Sequence, residues 1–284
     1  MNGLNQAFEN IISKAAQCSN ASESDYVGGD GLLYCSKCNT KKQTRVAVLG
    51  IEKVVPCICH CAAVEYNRQQ EEAERQEYER RIERYRQSAG FSDKAMETWT
   101  FANDDMANPK LTQVMQKYVE EFPKLRKDGI GLLLWGSVGT GKTYAAACIV
   151  NALIDKGYPC MITSFSRIAN ILQGMREGKQ EYLDKLNSFP LLVLDDLGAE
   201  RKSEYMQEQV FNVIDNRYRM NLPIIVTTNM SMAEMKNMAD IGNTRIYDRI
   251  LERCHPVEMN GTSRRRKIVK DRYYELNKLL GIDS

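Results

Sequence analysis

Residues 136–143 read GSVGTGKT and stand between an apolar run, Ile130 to Trp135, and the helix-forming run AAACIVNALIDKG that begins at Ala145. That octet fits G-x-x-x-x-G-K-[ST] in the strand-then-helix context the pattern needs. Its glycines let the backbone curl until N–H groups point at phosphate oxygens, and a helix N-terminus behind them adds positive potential. Gly136, Ser137, Val138, Gly139, Thr140, Gly141, Lys142 and Thr143 are therefore the expected cradle of a nucleotide. Lys142 is placed to reach β- and γ-phosphates, and Thr143 to ligate Mg²⁺.

The rest of the chain from about residue 91 alternates in the same way. After CMITSF comes a helix-like stretch to Gly174, then LLVLDDLG, a second helix-like stretch, LPIIVTTN, and a helical segment carrying RIYDRILERC with VEMNG behind it. Short continuous apolar runs separated by helices imply βαβ units, hence an α/β domain with a central parallel sheet flanked by helices. The run 191–194 ends in two carboxylates. Asp195 is expected to hold Mg²⁺ and Asp196 to orient the attacking water. Asn229 ends the run 224–228, where its amide can hold that water or the γ-phosphate.

Composition narrows the class without deciding it. The 284 residues are 43% hydrophobic and 27% charged, with a formal net charge of +2. There is no run of 18 apolar residues to cross a membrane. The first residues lack a basic region followed by an apolar core, so no secretory signal is expected and the cytoplasm is the default compartment. Thiols stay reduced there, and nine cysteines point to metal rather than to a disulfide framework.

Five of those cysteines crowd into residues 35–61. Cys35-Ser-Lys-Cys38 is a C-x-x-C turn, and PCICHC follows at 56–61. Two thiolates on one tight turn face the same point, as tetrahedral Zn²⁺ requires. Cys35, Cys38, Cys57 and Cys59 make the simplest ligand set, with Cys61 or His60 as substitutes. Thiol packing, a redox pair and iron–sulfur ligation are lesser alternatives. Residues 1–62 so form a small Cys-rich module that a structural metal would stabilise. Residues 63–90, dense in Glu, Gln and Arg, form a charged helical linker with Glu71–Arg75 and Glu77–Arg81 as i,i+4 pairs. Residues 91–284 form the nucleotide domain.

Taken in order, GSVGTGKT, LLVLDDLGAE, IIVTTN, and RIYDRILERC followed by RRRK resemble the AAA+ ATPase domain of the bacterial DnaC/DnaI helicase loaders and of the related IstB-type transposon ATPases, over about residues 91–275. The resemblance implies slow ATP hydrolysis with Walker A at 136–143, Walker B at Asp195 and Asp196, and Asn229 as sensor 1. It further implies Arg249 as the arginine finger given to a neighbouring subunit, and Arg264 or Arg265 as sensor 2 near the nucleotide. Loaders resembling this chain carry an N-terminal zinc module that grips the replicative helicase hexamer, while their ATPase domain handles single-stranded DNA. In that setting the segment from Ser164 to Leu172 is expected beside the DNA path, with Arg167 and Lys179 as phosphate contacts. ATP-dependent self-assembly and a role in placing helicase on single-stranded DNA follow from the loader resemblance. The IstB-type likeness implies instead an ATPase that assists a transposase.

Overall fold

The computed structural model describes residues 22–48, 51–105, 107–198, 204–237, 241–261, 263 and short pieces up to 282. They fall into two compact units, divided between Arg80 and Arg81. Among the described residues no helix is long and apolar enough to cross a membrane.

The first unit is built from two antiparallel hairpins. Strand β1 (Tyr26–Val27) pairs with β2 (Leu33–Tyr34), and β3 (Gln43–Val48) pairs with β4 (Ile51–Pro56). Its buried apolar side chains among the described residues are only Leu32, Cys35 and Cys59, too few to hold hairpins of this size in water. Lys42 is buried with them and pairs with Asp25 at 2.6 Å. Helix α1 (His60–Ser88) follows and buries no residue along its length. Ile82 and Tyr85, which belong to the second unit, pack partly buried against that unit's core. Up to Arg80 the helix is largely exposed, and a polar helix of that kind relies on side-chain pairs along its surface. Here Arg68 meets Glu65 and Glu72 at 2.7 and 2.8 Å. Arg75 turns to Glu79 at 3.8 Å instead of to Glu71, since both acids lie one turn away on an exposed face.

The second unit is the expected α/β domain. Its elements are α2 (Pro109–Glu120), α3 (Phe122–Asp128), β5 (Gly131–Trp135), α4 (Lys142–Asp155), β6 (Cys160–Ser164), α5 (Phe165–Gly174), α6 (Lys179–Ser188), β7 (Leu191–Leu197), α7 (Glu204–Arg219), β8 (Ile224–Thr228), α8 (Met232–Lys236), α9 (Ile241–Arg253) and β9 (Cys254–Glu258). The five strands lie in the order β6-β7-β8-β5-β9, every neighbouring pair parallel. Successive side chains on a strand point to opposite faces, so a run apolar at every position must be covered on both sides. That is how the runs are used. Leu132, Leu134, Leu191, Val193 and Ile225 enter one core with α2 and α4. Leu133, Leu192, Leu194, Ile224 and Val226 enter the other with α5, α7 and α9.

Strand β9 goes beyond the sequence reading, in which VEMNG only follows the helical segment carrying RIYDRILERC. Among the described residues it pairs only with β5 and so lies at the sheet edge, where Pro256 withdraws no ladder bond from an inner strand. A second buried device joins β7 and β8 at their starts. Arg217 is fully buried and donates from Nη1 to the carbonyls of Leu186 and Phe189, and from Nη2 to that of Pro223. Burial pulls its guanidinium down to about 9, and the carbonyl dipoles take the place of a counter-carboxylate.

Candidate nucleotide site and cysteine centre

The nucleotide loop sits where β5 ends. Gly136 has φ 138°, and a Cβ there would stand 2.7 Å from the Met259 carbonyl, so the loop can pass β9 only as glycine. Gly141, with φ 95°, precedes α4 and offers it no side-chain cap. The start of α4 thus carries no cap from its own N-cap residue, which suits a bound anion. Lys142 is 7% exposed and donates to the Gly136 and Ser137 carbonyls at 2.9 and 2.8 Å. Its ammonium is thus stored inside the loop, one side-chain swing from a phosphate. Thr140 ties the loop shut, donating to the Ser137 carbonyl at 3.0 Å.

The two carboxylates are placed by a break in the sheet. The β7–β8 ladder shifts register between Leu194 and Leu197, and Asp196 takes a left-handed φ of 62°. Strained conformations of this kind outside glycine concentrate at functional sites. Asp195 then faces Thr143, whose Oγ1 lies 3.0 and 3.2 Å from its two oxygens, and accepts from Thr227 Oγ1 at 2.6 Å. The Thr227 hydroxyl also accepts from the Asp196 N–H at 2.8 Å, and Asn229 Nδ2 donates to Asp196 Oδ1 at 3.1 Å. Thr227 was missed in the sequence because a strand-end threonine carries no motif.

Burial raises the Asp195 pKa above the ordinary carboxylate value, offset in part by the Thr227 and Thr143 hydroxyls. A carboxyl whose folded-state pKa exceeds its unfolded one binds its proton first in the folded state. Its ionisation therefore costs stability as pH rises through that window and returns it on acidification. Asp195→Asn is accordingly expected to raise the thermal midpoint of the ligand-free chain at neutral pH by about 2–4 °C, the response to about 1 kcal/mol, while abolishing Mg²⁺-dependent turnover. Calorimetry with and without Mg-nucleotide checks this, and a lowered ligand-free midpoint would contradict it.

A cavity of about 160 Å³ adjoins the loop, lined by Phe101, Asn108, Thr140, Tyr144, Met259 and Gly261 among others. One wall comes from the chain before α2, pinned to α4 by two side chains. Asn151 donates to the Met96 and Trp99 carbonyls, both at 2.8 Å, and Tyr144 donates to the Thr100 carbonyl at 3.0 Å. Lying beside a phosphate loop, the cavity suits the base and sugar of a nucleotide. No sequence motif announced this wall.

The arginines divide. Arg249 does not join the carboxylates; its contacts run to α7, with Nη1 at 2.5 Å from Asp215 Oδ1 and its guanidinium over the Phe211 and Tyr218 rings at 5.2 and 4.9 Å. Arg253 packs on Tyr218 and donates to Asn221 Oδ1, whereas Arg245 is exposed. Arg264 and Arg265 lie outside the described residues. Arg167 donates to the Gly90 carbonyl at 3.0 Å, and Lys179 lies over the Tyr205 ring at 6.0 Å.

In the first unit the sulfurs of Cys35, Cys38, Cys59 and Cys61 lie within 4.8 Å of one another. Cys61 is 3.6 Å from Cys35 and 3.5 Å from Cys59. Tetrahedral Zn²⁺ with Zn–S of about 2.3 Å needs sulfurs about 3.8 Å apart, so the set fits the ion. Cys61 takes the place that the simplest ligand set gave to Cys57. The reason is where α1 starts: the helix opens at His60, so Cys59 and Cys61 turn onto the C-x-x-C knuckle. Cys57 instead continues the strand, its N–H on the Lys42 carbonyl at 2.7 Å and its sulfur on the Lys41 carbonyl. His60 is exposed, and its N–H donates to Thr40 Oγ1. The Thr40 hydroxyl, with the Cys61 N–H, brings Cys38 down to about 5, and neighbouring sulfurs, Cys59 first, push Cys61 up to about 12. Four thiols in one cluster cannot all ionise alone, and a divalent cation relieves that conflict.

Phosphate loop, paired carboxylates and five-stranded parallel sheet together define a P-loop nucleotide-binding domain of the AAA+ class. The chain belongs to the family of IstB-like ATP-binding proteins, whose model matches residues 58–271. It is 29% identical to the replicative helicase loader DnaI of Bacillus subtilis over 58% of this chain and 58% of that protein. It is 30% identical to an insertion-sequence ATP-binding protein of Sinorhizobium fredii over 66% of this chain and 63% of that one. The match thus spans less than two thirds of the length of these curated relatives. The crystal structure of DnaI superposes with a TM-score of 0.55 at 27% identity, covering 64% of this chain and 99% of that one.

Proposed function

We propose that this protein is an ATP-dependent loader that binds a replicative DNA helicase and assists its placement on single-stranded DNA. The observation that carries the reading is one chain holding both an ATP site and a separate four-cysteine centre. The loader resemblance accounts for both, whereas the IstB-type resemblance leaves the cysteine module without a role. The family match begins at residue 58, after the C-x-x-C knuckle.

In this reading the nucleotide phosphates take up the α4 N-terminus and draw Lys142 off the Gly136 and Ser137 carbonyls. Thr143 and Asp195 are the residues that would hold Mg²⁺, which would supply positive charge against the nucleotide phosphates. Asp196, oriented by Asn229, positions the attacking water, and Arg249 of a neighbouring subunit meets the transferring phosphoryl group. The cysteine centre does no chemistry; with Zn²⁺ bound it shapes the surface that grips the helicase hexamer. Native mass spectrometry of the zinc-loaded protein with its host's replicative helicase and ATP tests the reading. A defined complex with the hexamer, lost on deleting residues 1–62, supports it. No complex, with DNA-stimulated turnover intact, favours the transposase-partner reading that the Sinorhizobium relative suggests.

A further inference from the structure

Arginine reaching across to a neighbour's nucleotide is usually pictured as a mobile side chain, but Arg249 is not free to move. Its Nη1 is 2.5 Å from Asp215 Oδ1, and only 26% of its side chain is exposed. Phe211 and Tyr218 lie against its guanidinium, at 5.2 and 4.9 Å. All three partners stand on α7, at spacings of four and three residues that place them on one helix face. Asp215 is itself held, since its second oxygen takes Arg219 Nε at 2.8 Å. Tyr218 is fixed as well, its hydroxyl donating to Glu252 Oε1 at 2.8 Å and its ring packed by Arg253.

A guanidinium has five N–H donors in a rigid fork. Asp215 forms an ion pair with one end and the rings cover part of its surface, while among the described residues no hydrogen bond occupies the fork's other donors. Catalytic groups gain most when their geometry is set before the substrate arrives, because ordering them then costs nothing at the moment of reaction.

We infer that Asp215, with Phe211 and Tyr218, is the positioning residue for Arg249, holding it as a rigid prong aimed at the nucleotide of an adjoining subunit. The inference rests on the reading of Arg249 as a residue that acts in trans, and the test separates the two. Turnover is measured on the assembled full-length protein as Arg249→Ala, Asp215→Ala, Asp215→Glu and Phe211→Leu, with nucleotide affinity measured in parallel and thermal melting as the folding control.

Arg249→Ala is expected to lower kcat at least about a hundredfold. Asp215→Ala is expected to lower kcat at least about tenfold with nucleotide affinity unchanged, and Asp215→Glu to recover part of it. Because the defect lies in the donated arginine, mixing Asp215→Ala subunits with Lys142→Ala subunits should restore turnover. Mixing with Lys142→Ala/Asp215→Ala subunits should not. Should Asp215→Ala melt early, Phe211→Leu, which keeps the carboxylate, must show the same kcat-only defect. Full turnover in Asp215→Ala beside a lost one in Arg249→Ala overturns the positioning role. Turnover above that of the unaltered protein would make the clamp a restraint and overturns it equally. Full turnover in Arg249→Ala removes the trans-acting arginine itself.

Discussion

Lys142→Ala will lower ATP turnover at least about a hundredfold, the scale of losing a charge that meets the phosphates in the transition state. The ligand-free loop should survive the change. Lys142 donates to the Gly136 and Ser137 carbonyls at the mouth of the loop, where Ser137 is exposed and Gly136 half-buried. Water can satisfy both when the ammonium is gone, so the unfolding midpoint should move little. Phosphate release and fluorescent-nucleotide binding, measured side by side, separate lost catalysis from lost binding. Turnover within about twofold of the unaltered protein would mean that the ammonium never leaves its two carbonyls, and the site account would fall.

Removing the metal should produce the other large effect, and it should be local. With three buried apolar side chains among the described residues of the first unit, the hairpins are expected to depend on a metal held by the four sulfurs. Structural zinc contributes on the order of 10 kcal/mol to such modules. Chelation, or Cys59→Ser, is expected to abolish hydrogen-exchange protection across residues 26–61. Melting of the second unit, with its two cores on either face of the sheet, should be unaffected. Cys57→Ser should leave both metal content and protection unchanged, because its sulfur lies outside the cluster. One zinc per chain, counted by elemental analysis and lost in Cys61→Ser, is the matching result. Full protection in metal-free protein would show that the thiols only pack.

What could be read from the sequence follows from how each feature is encoded. Strands β5, β7 and β8 are legible because burial on both faces demands apolar residues at every position, and GSVGTGKT announces the one loop glycine chemistry allows. Strand β9 is not legible: an edge strand tolerates Pro256 and exposed His255, so nothing marks it off from a tail. The cysteine ligands were short of one fact. Spacing offers more donors than four coordination sites need, and only the start of α1 at His60 selects Cys61 over Cys57. Asp215, Phe211 and Tyr218 show helical spacing, but their shared partner lies on α9, some thirty residues on, and no local pattern links the two. The wall of the cavity before α2 is likewise a tertiary product, assembled by Asn151 and Tyr144 from a segment without a motif.

The measurement that bears most directly on the account is a helicase-loading assay on circular single-stranded DNA. The host's replicative helicase hexamer is mixed with this protein, and helicase retained on the circle is counted with ATP, without nucleotide, and with the Lys142→Ala protein. The loader reading predicts that the protein raises the amount loaded several-fold, that loading needs ATP, and that Lys142→Ala does not support it. Loading at the level of helicase alone under all three conditions would contradict it.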